Sequence, residues 1–172
     1  MSPTTDIRTM TILTEPEVSD LVAILDDVIS AGASVGWISP PPESEARAYW
    51  NQVIQPNLRL VCAFAGERII ATGQIEFASK ENGSHRAEIA KVLVRSDYQG
   101  EGLGRKIMIA LEEIAVAHGR TLLHLDTDTD ARSNEFYRRL GWTEAGTIPN
   151  WAKSAADGQL HGTTFYYKDL ST

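Results

Sequence analysis

Apolar positions along this chain switch between two periods, and the switches mark its elements. From Ile7 to Leu13 polar and apolar residues alternate, the period of a strand with one wet face, which predicts an edge strand. Val18, Leu21, Val22, Leu25, Val28 and Ile29 then recur at helical spacing. They predict a helix from Glu15 to Ser30 with Thr14 as its N-cap. Gly32 to Trp37, followed by Pro40-Pro41-Pro42, reads as loop. A second helix runs from Glu43 to about Val53 and is closed by Pro56, which has no N–H to donate. Strands are predicted over 59–64 and 69–77, joined through Gly66-Glu67, and over 86–94 after a turn at Glu81-Asn82-Gly83. The next helix, 103–117, stops before Gly119, a residue suited to a left-handed C′ position. A strand over 121–126, a helix over 131–140 and strands near 142–148 and 163–168 complete the order βααβββαβαββ. That order predicts an α/β protein with one mixed sheet. Neither a repeat nor a linker interrupts it, so residues 1–172 are expected to form a single domain.

Composition narrows the class of function. An apolar fraction of 42% over 172 residues supports a real core and argues against disorder. Sixteen basic and 23 acidic residues leave a formal net charge of -7, which disfavours nucleic acid and membrane surfaces as partners. The single cysteine, in Leu60-Val61-Cys62-Ala63-Phe64, allows no internal disulfide and reads as a small core residue. Four scattered histidines show no close ligand spacing, so no metal site is expected. The N-terminus carries no basic-then-apolar signal and no apolar run reaches membrane-spanning length, which makes the cytoplasm the expected location.

The candidate chemistry lies in Gln99-Gly100-Glu101-Gly102-Leu103-Gly104, between an apolar strand and an amphipathic helix. Alternate glycines let the backbone turn its N–H groups inward, and the helix start adds unpaired amides with partial positive charge. Such a nest binds a phosphate or pyrophosphate. Arg105 and Lys106 follow in the first helical turn, where an anion between them and the amides would offset their conflict with the macrodipole. A dinucleotide fingerprint is excluded, because the third glycine position falls on Arg105 or Ile107. A Walker loop fails for want of Gly-Lys-Ser/Thr.

The run from Val94 to Gly104 resembles the acetyl-CoA loop of the GCN5-related N-acetyltransferases, whose Arg/Gln-x-x-Gly-x-Gly/Ala pattern is matched by Gln99, Gly102 and Gly104. Phe136-Tyr137-Arg138-Arg139-Leu140-Gly141-Trp142 is similar to that family's tyrosine helix running into its next strand. Closer likeness to the tabtoxin-resistance type of acetyltransferase is carried by Gly32-Ala33-Ser34-Val35-Gly36, Arg86-Ala87-Glu88, Leu122 to Thr127 and Asp157 to His161. The resemblance implies one central, mixed, mostly antiparallel sheet of about seven strands flanked by about four helices. It implies acetyl-CoA as co-substrate, a small-molecule amine as acceptor and, commonly, a homodimer. Gln99, Gly100, Gly102, Leu103, Gly104 and Arg105 would hold the pyrophosphate, and the backbone around Leu93 and Val94 would pair with the pantetheine arm. Many members place asparagine seven residues before the tyrosine; here that position is Asp130, and Asn134, one turn later, is the candidate substitute.

Acetyl transfer to an amine needs a neutral amine, a polarised thioester carbonyl and a proton for the leaving sulfur. Glu88 and Asp126 are the candidate bases, alongside an ordered water relay. Two-residue alternation puts Glu88 on one face with Ala90, Val92 and Val94, and Asp126 on a face with His124. Glu88 also has Lys91 or Arg86 as an ordinary ion-pair partner, and Asp126 can cap the turn that follows it. Tyr137 is the candidate general acid toward the sulfur. The reading is an N-acetyltransferase for a small, amino-acid-like amine, a toxin or antibiotic being its specific version. A catalytically silent acyl-CoA-binding module and an acetyltransferase for protein N-termini or lysines are the alternatives.

Overall fold

In the computed structural model, which describes residues 5–171, the elements follow the order read from the sequence. They are β1 (Thr5–Met10), α1 (Glu15–Ser30), α2 (Glu43–Trp50), β2 (Leu58–Ala65), β3 (Arg68–Phe77), β4 (Arg86–Val94), α3 (Leu103–Ala117), β5 (Leu122–Asp128), α4 (Ser133–Arg139), β6 (Thr143–Lys153) and β7 (Leu160–Asp169). All seven strands join one sheet in the order β1-β2-β3-β4-β5-β7-β6. Every neighbouring pair is antiparallel except β4 and β5, which α3 connects as a parallel crossover.

Alternation along β2 shows how the sheet separates two cores. Leu60, Cys62 and Phe64 join Leu21, Ile24, Leu25 and Trp50 of α1 and α2. Val61 and Ala63 join Leu103, Ile107 and Leu111 of α3 on the other face. Gly73 of β3 sits where α3 presses hardest, since a Cβ there would lie 2.4 Å from Ile107 Cγ2. At the far end of α3, Lys168 Nζ on β7 donates to both Glu112 oxygens at 2.9 Å and to the Leu140 carbonyl at 3.0 Å. One ammonium thereby ties α3 and the end of α4 to the sheet.

The observed boundaries differ from the expected ones where caps and edges intervene. β1 stops at Met10 because the chain turns to start α1, where Glu17 accepts from the Thr14 N–H at 2.7 Å and from its hydroxyl at 2.8 Å. α2 ends at Trp50, short of Val53, with the Asn51 N–H closing its last turn on Arg47. β6 runs through Pro149 to Lys153, because an outer edge strand tolerates a proline and absorbs residues 149–151 as a bulge. No helix among the described residues is long and apolar enough to cross a membrane.

Candidate active site

The site begins where β4 leaves β5. Their ladder pairs Arg86, Ala87 and Glu88 with Leu122, Leu123 and His124 and goes no further. Beyond Glu88, β4 keeps β3 on one side but has no strand on the other, so its backbone groups there are free to pair with an extended ligand. The chain then makes a short 3-10 turn, Ser96–Tyr98, clamped to α1 by Asp27, which accepts from the Ser96 N–H at 2.7 Å and hydroxyl at 2.8 Å. Arg95 is held beside it by Asp97 at 3.0 and 3.1 Å.

Gly100 and Gly102 follow with φ of +83° and +77°, the left-handed region that a Cβ would strain. A Cβ on either would meet nothing within 4 Å, so the space above the loop is open. α3 starts at Leu103, and its first bond back to the loop runs from the Lys106 N–H to the Gly102 carbonyl. The N–H groups of Gly100 and of Gly102 to Arg105 therefore have no protein acceptor among the described residues, while that of Glu101 closes the turn over Gln99 and Gly100. They look into a cleft of about 770 Å³ whose lining includes Val94, Gln99, Leu103, Gly104 and Arg105 on one side and Arg132, Phe136 and Tyr137 on the other. A Cβ on Gly104 would approach Phe136 to 3.2 Å, so that glycine sets how closely α4 can stand.

Lys106 and Asn134 are placed otherwise than expected. Lys106 does not face the cleft; it lines a groove on the opposite flank of α3 with Ile7 and Thr9, because successive helical residues point about 100° apart. Leu93 is buried against α1 and α2, so only its backbone can reach a ligand. Asn134 is buried with its amide donating to the carbonyls of Asp128, Thr129 and Ala131 at 2.8–3.0 Å, while its oxygen accepts from Tyr166 at 2.9 Å. Every polar atom of that side chain is engaged in holding the β5–α4 loop, which leaves no donor for a cofactor arm.

The expected alternation along β4 breaks at Lys91. Ala90 pairs with Gln74 and Leu93 with Thr72, so Lys91 and Val92 together oppose Gly73 as a β-bulge. Lys91 takes φ +51°, a conformation that costs an L-residue about 1 kcal/mol. The bulge reverses the faces: Ala87 and Ile89 before it and Val92 and Val94 after it all pack on the α3 side. Glu88 accordingly shares a face with Ala90 but not with Val92 or Val94. That face also carries Asp126, since Leu123 and Leu125 of β5 point to the α3 core and alternate with it.

Asp126 accepts a hydrogen bond from the buried Thr163 hydroxyl at 2.9 Å. The turn-capping role falls instead to Asp128, whose oxygen accepts from the Asp130 N–H at 2.9 Å. Burial, with the Asp126 charge adding to it, pushes the Tyr137 hydroxyl up to about 12. Tyr137 sits among Phe136, Trp142 and Tyr166 on the α4 side of β5. Asp126 is on the other side, and acts on the tyrosine only through its charge. Burial lowers the Lys91 ammonium, and the charges of Asp126 and Glu88 partly restore it. Above Lys91 stand Trp37 and Tyr49, edge to face at 5.2 Å; Trp37 is pinned by donating to Glu45 at 2.9 Å, and Tyr49 is hydrogen-bonded to Gln74.

Two further groups complete the inventory. Cys62 is fully buried and burial pushes its thiol up to about 12, as a core residue requires. His161 of β7 touches Asp157 through Nε2 and Asp128 through Nδ1, each at 3.0 Å, and Asp130 lies at 3.7 Å. Asp128, Asp130 and His161 could together approach one cation, a grouping hidden in sequence by the 30 residues between Asp130 and His161. Both ring nitrogens already meet carboxylates, an arrangement that suits imidazolium and raises its pKa, chiefly through Asp157. The contact closes the β6–β7 loop, whose Ala156 would meet a Cβ on Gly32 at 3.1 Å across the mouth of the acceptor face.

Comparison with known proteins adds independent observations. A family model described as the acetyltransferase (GNAT) family matches residues 23–142. An uncharacterized N-acetyltransferase encoded in the hisH-hisA intergenic region of Azospirillum brasilense is 29% identical over 75% of this chain and 79% of its own length. Among solved structures, an N-acetyltransferase from Staphylococcus aureus Mu50 superposes with a TM-score of 0.83 at 18% identity, covering 98% of this chain and 99% of that one. Salmonella typhimurium yncA, solved with its cofactor acetyl-CoA, superposes with a TM-score of 0.78 at 18% identity, covering 98% and 95%.

Proposed function

The chain belongs to the acetyltransferase (GNAT) family, and from that premise we propose that it moves an acetyl group from acetyl-CoA to the primary amine of a small, amino-acid-like molecule. The tabtoxin-resistance likeness suggests a toxin or antibiotic as its specific version, with residues 1–172 acting as one N-acetyltransferase domain. The observation that carries the reading is the set of acceptor-free N–H groups of Gly100 and of Gly102 to Arg105, residues that line a cleft between α3 and α4. Five amides at the positive end of a fifteen-residue helix suit a pyrophosphate, and Arg105 and Arg132 add charge in a chain of net -7.

Bound acetyl-CoA would supply a thioester carbonyl and a sulfur leaving group. Gln99, Gly100, Gly102, Leu103, Gly104 and Arg105 grip the diphosphate. The unpaired edge of β4 at Leu93 and Val94 aligns the arm, and an amide there polarises the carbonyl. Asp126 or Glu88, directly or through water, removes the ammonium proton of the acceptor, which an alkyl amine otherwise keeps to about pH 10. Tyr137 keeps its own proton to about pH 12, so at neutral pH it always presents O–H toward the sulfur. A thiol ionises near 8.5, well below this tyrosine, so Tyr137 acts chiefly as a hydrogen-bond donor. Full protonation of the sulfur then draws on the proton the amine releases.

Thiol release from acetyl-CoA, measured against amino acids, polyamines, aminoglycosides and β-lactam-type toxins, tests the reading. We expect turnover with the amino-acid-like members and a roughly tenfold lower kcat for Tyr137→Phe. Acetyl-CoA binding without turnover on any amine would point instead to an acyl-CoA-binding module.

A further inference from the structure

We propose that Lys91 forms an anion subsite that binds a carboxylate of the acetyl acceptor, so that the acceptor class is zwitterionic: an amine to be acetylated beside a free acid. The inference rests on the acetyl-transfer reading and adds a second recognition point on the acceptor face. Four observations carry it.

The first is conformational. Lys91 occupies the bulged position of β4 at φ +51°, where glycine or asparagine would sit with less strain. The bulge takes the Lys91 side chain out of the ladder register, to the aromatic side of the sheet. The second is surroundings. The ammonium lies 5.9 Å from the Trp37 ring centroid and 6.0 Å from that of Tyr49, at the outer limit of a cation–π contact. The two rings form one wall beside the charge.

The third is that the cation is unsatisfied. Lys91 is half-buried, yet among the described residues it has no hydrogen-bond acceptor and no carboxylate in ion-pair contact. Its desolvation is offset only by Asp126 and Glu88 acting at longer range. An ammonium offers three donors, and a carboxylate of the acceptor is the partner that would engage them.

The fourth is the pattern of charge on this face. Glu88 from β4 and Asp126 from β5 present two negative groups; Lys91 presents one positive group; Trp37 and Tyr49 close the side toward α2 with no charge. An amine alone is drawn to the carboxylates but gives Lys91 nothing. A polyamine brings further positive charge against it. A molecule carrying both an ammonium and a carboxylate complements both signs at once, with its amine at the bases and its acid at Lys91.

The test compares matched acceptors. The twenty L-amino acids and their carboxamides are assayed for thiol release with the wild-type chain, Lys91→Met and Lys91→Arg, with acetyl-CoA affinity measured for each variant. For at least one amino acid we expect the free acid to be used about 10- to 100-fold better in kcat/KM than its amide. In Lys91→Met that ratio should fall to within about threefold of unity, with the loss carried by KM, and Lys91→Arg should restore part of it. Two results overturn the proposal while leaving acetyl transfer intact: equal use of acids and amides by the wild type, or a preference that survives Lys91→Met. Turnover confined to amines without an acid, or to no member of the panel, overturns it as well. Loss of acetyl-CoA binding by the wild-type chain would instead strike the acetyl-transfer reading itself.

Discussion

The two faces of the sheet beside the splay of β4 and β5 are built by opposite strategies. On the α3 face the cleft is walled by backbone: five free amides, glycines at positive φ, and one glycine that admits Phe136. On the α1–α2 face the chemistry is in side chains, and Trp37, Tyr49, Glu88, Lys91 and Asp126 arrive from three separate elements and one loop. A diphosphate is the same in every molecule that carries it, so a rigid backbone cradle suffices. The acceptor face must read one molecule among many, and a set of side chains can change without disturbing the fold.

If that division holds, adding a side chain should ruin one half and removing a charge should ruin the other. The largest effect is expected from Gly102→Trp or Gly104→Trp, which fill the cradle and should lower acetyl-CoA affinity more than roughly 1,000-fold by titration calorimetry. Gly102→Trp should still fold, with a melting point within several degrees of wild type: its Cβ meets open space, and the left-handed φ of +77° costs about 1–2 kcal/mol. Next, Asp126→Asn should lower kcat by roughly 100- to 1,000-fold while acetyl-CoA affinity stays within about twofold. Glu88→Gln run in parallel identifies the base as whichever of the two flattens the acid limb of the pH–rate profile.

Asn134→Ala sharpens the boundary between site and scaffold. It strands the Thr129 carbonyl, takes a second donor from those of Asp128 and Ala131, and removes the acceptor of the Tyr166 hydroxyl, so it should cost about 2 kcal/mol in denaturant unfolding. A direct cofactor contact would instead appear as lost acetyl-CoA affinity at unchanged stability. The smallest effect concerns His161. Its pKa is raised in the folded chain, chiefly by Asp157, so its contribution is fully present below the ordinary value near 6.5. That contribution is lost as pH rises through the raised value. Melting points taken from about pH 6 to about pH 9 should fall more steeply in the wild type than in His161→Gln.

The same contrast explains what could be read from the sequence. The backbone half is local: Gln99 to Arg105 is one contiguous stretch, and the 103–117 helix is marked by its own periodicity and by Gly119. Both β4 and the start of α3 stand where periodicity places them. The side-chain half is assembled across the chain, and there period-two reasoning carried Val92 and Val94 to the wrong face because a one-residue bulge leaves no mark in an apolar strand. Lys91 was legible only as an ion-pair partner for Glu88, a contact not made among the described residues, because alternation alone could not place it at a bulge. Asn134 was legible as a polar residue on the tyrosine helix but not as a buried clamp, since its partners are backbone carbonyls that sequence does not show.

Lys168 bears on the width of the cleft from its far end. Its ammonium fastens Glu112 toward the tail of α3 and the carbonyl of Leu140, a residue just past α4 that itself lines the cleft. The pair works like a caliper with its rivet set beside one jaw. Loosening that rivet would change the gap between the jaws through a lysine that is not among the residues lining it.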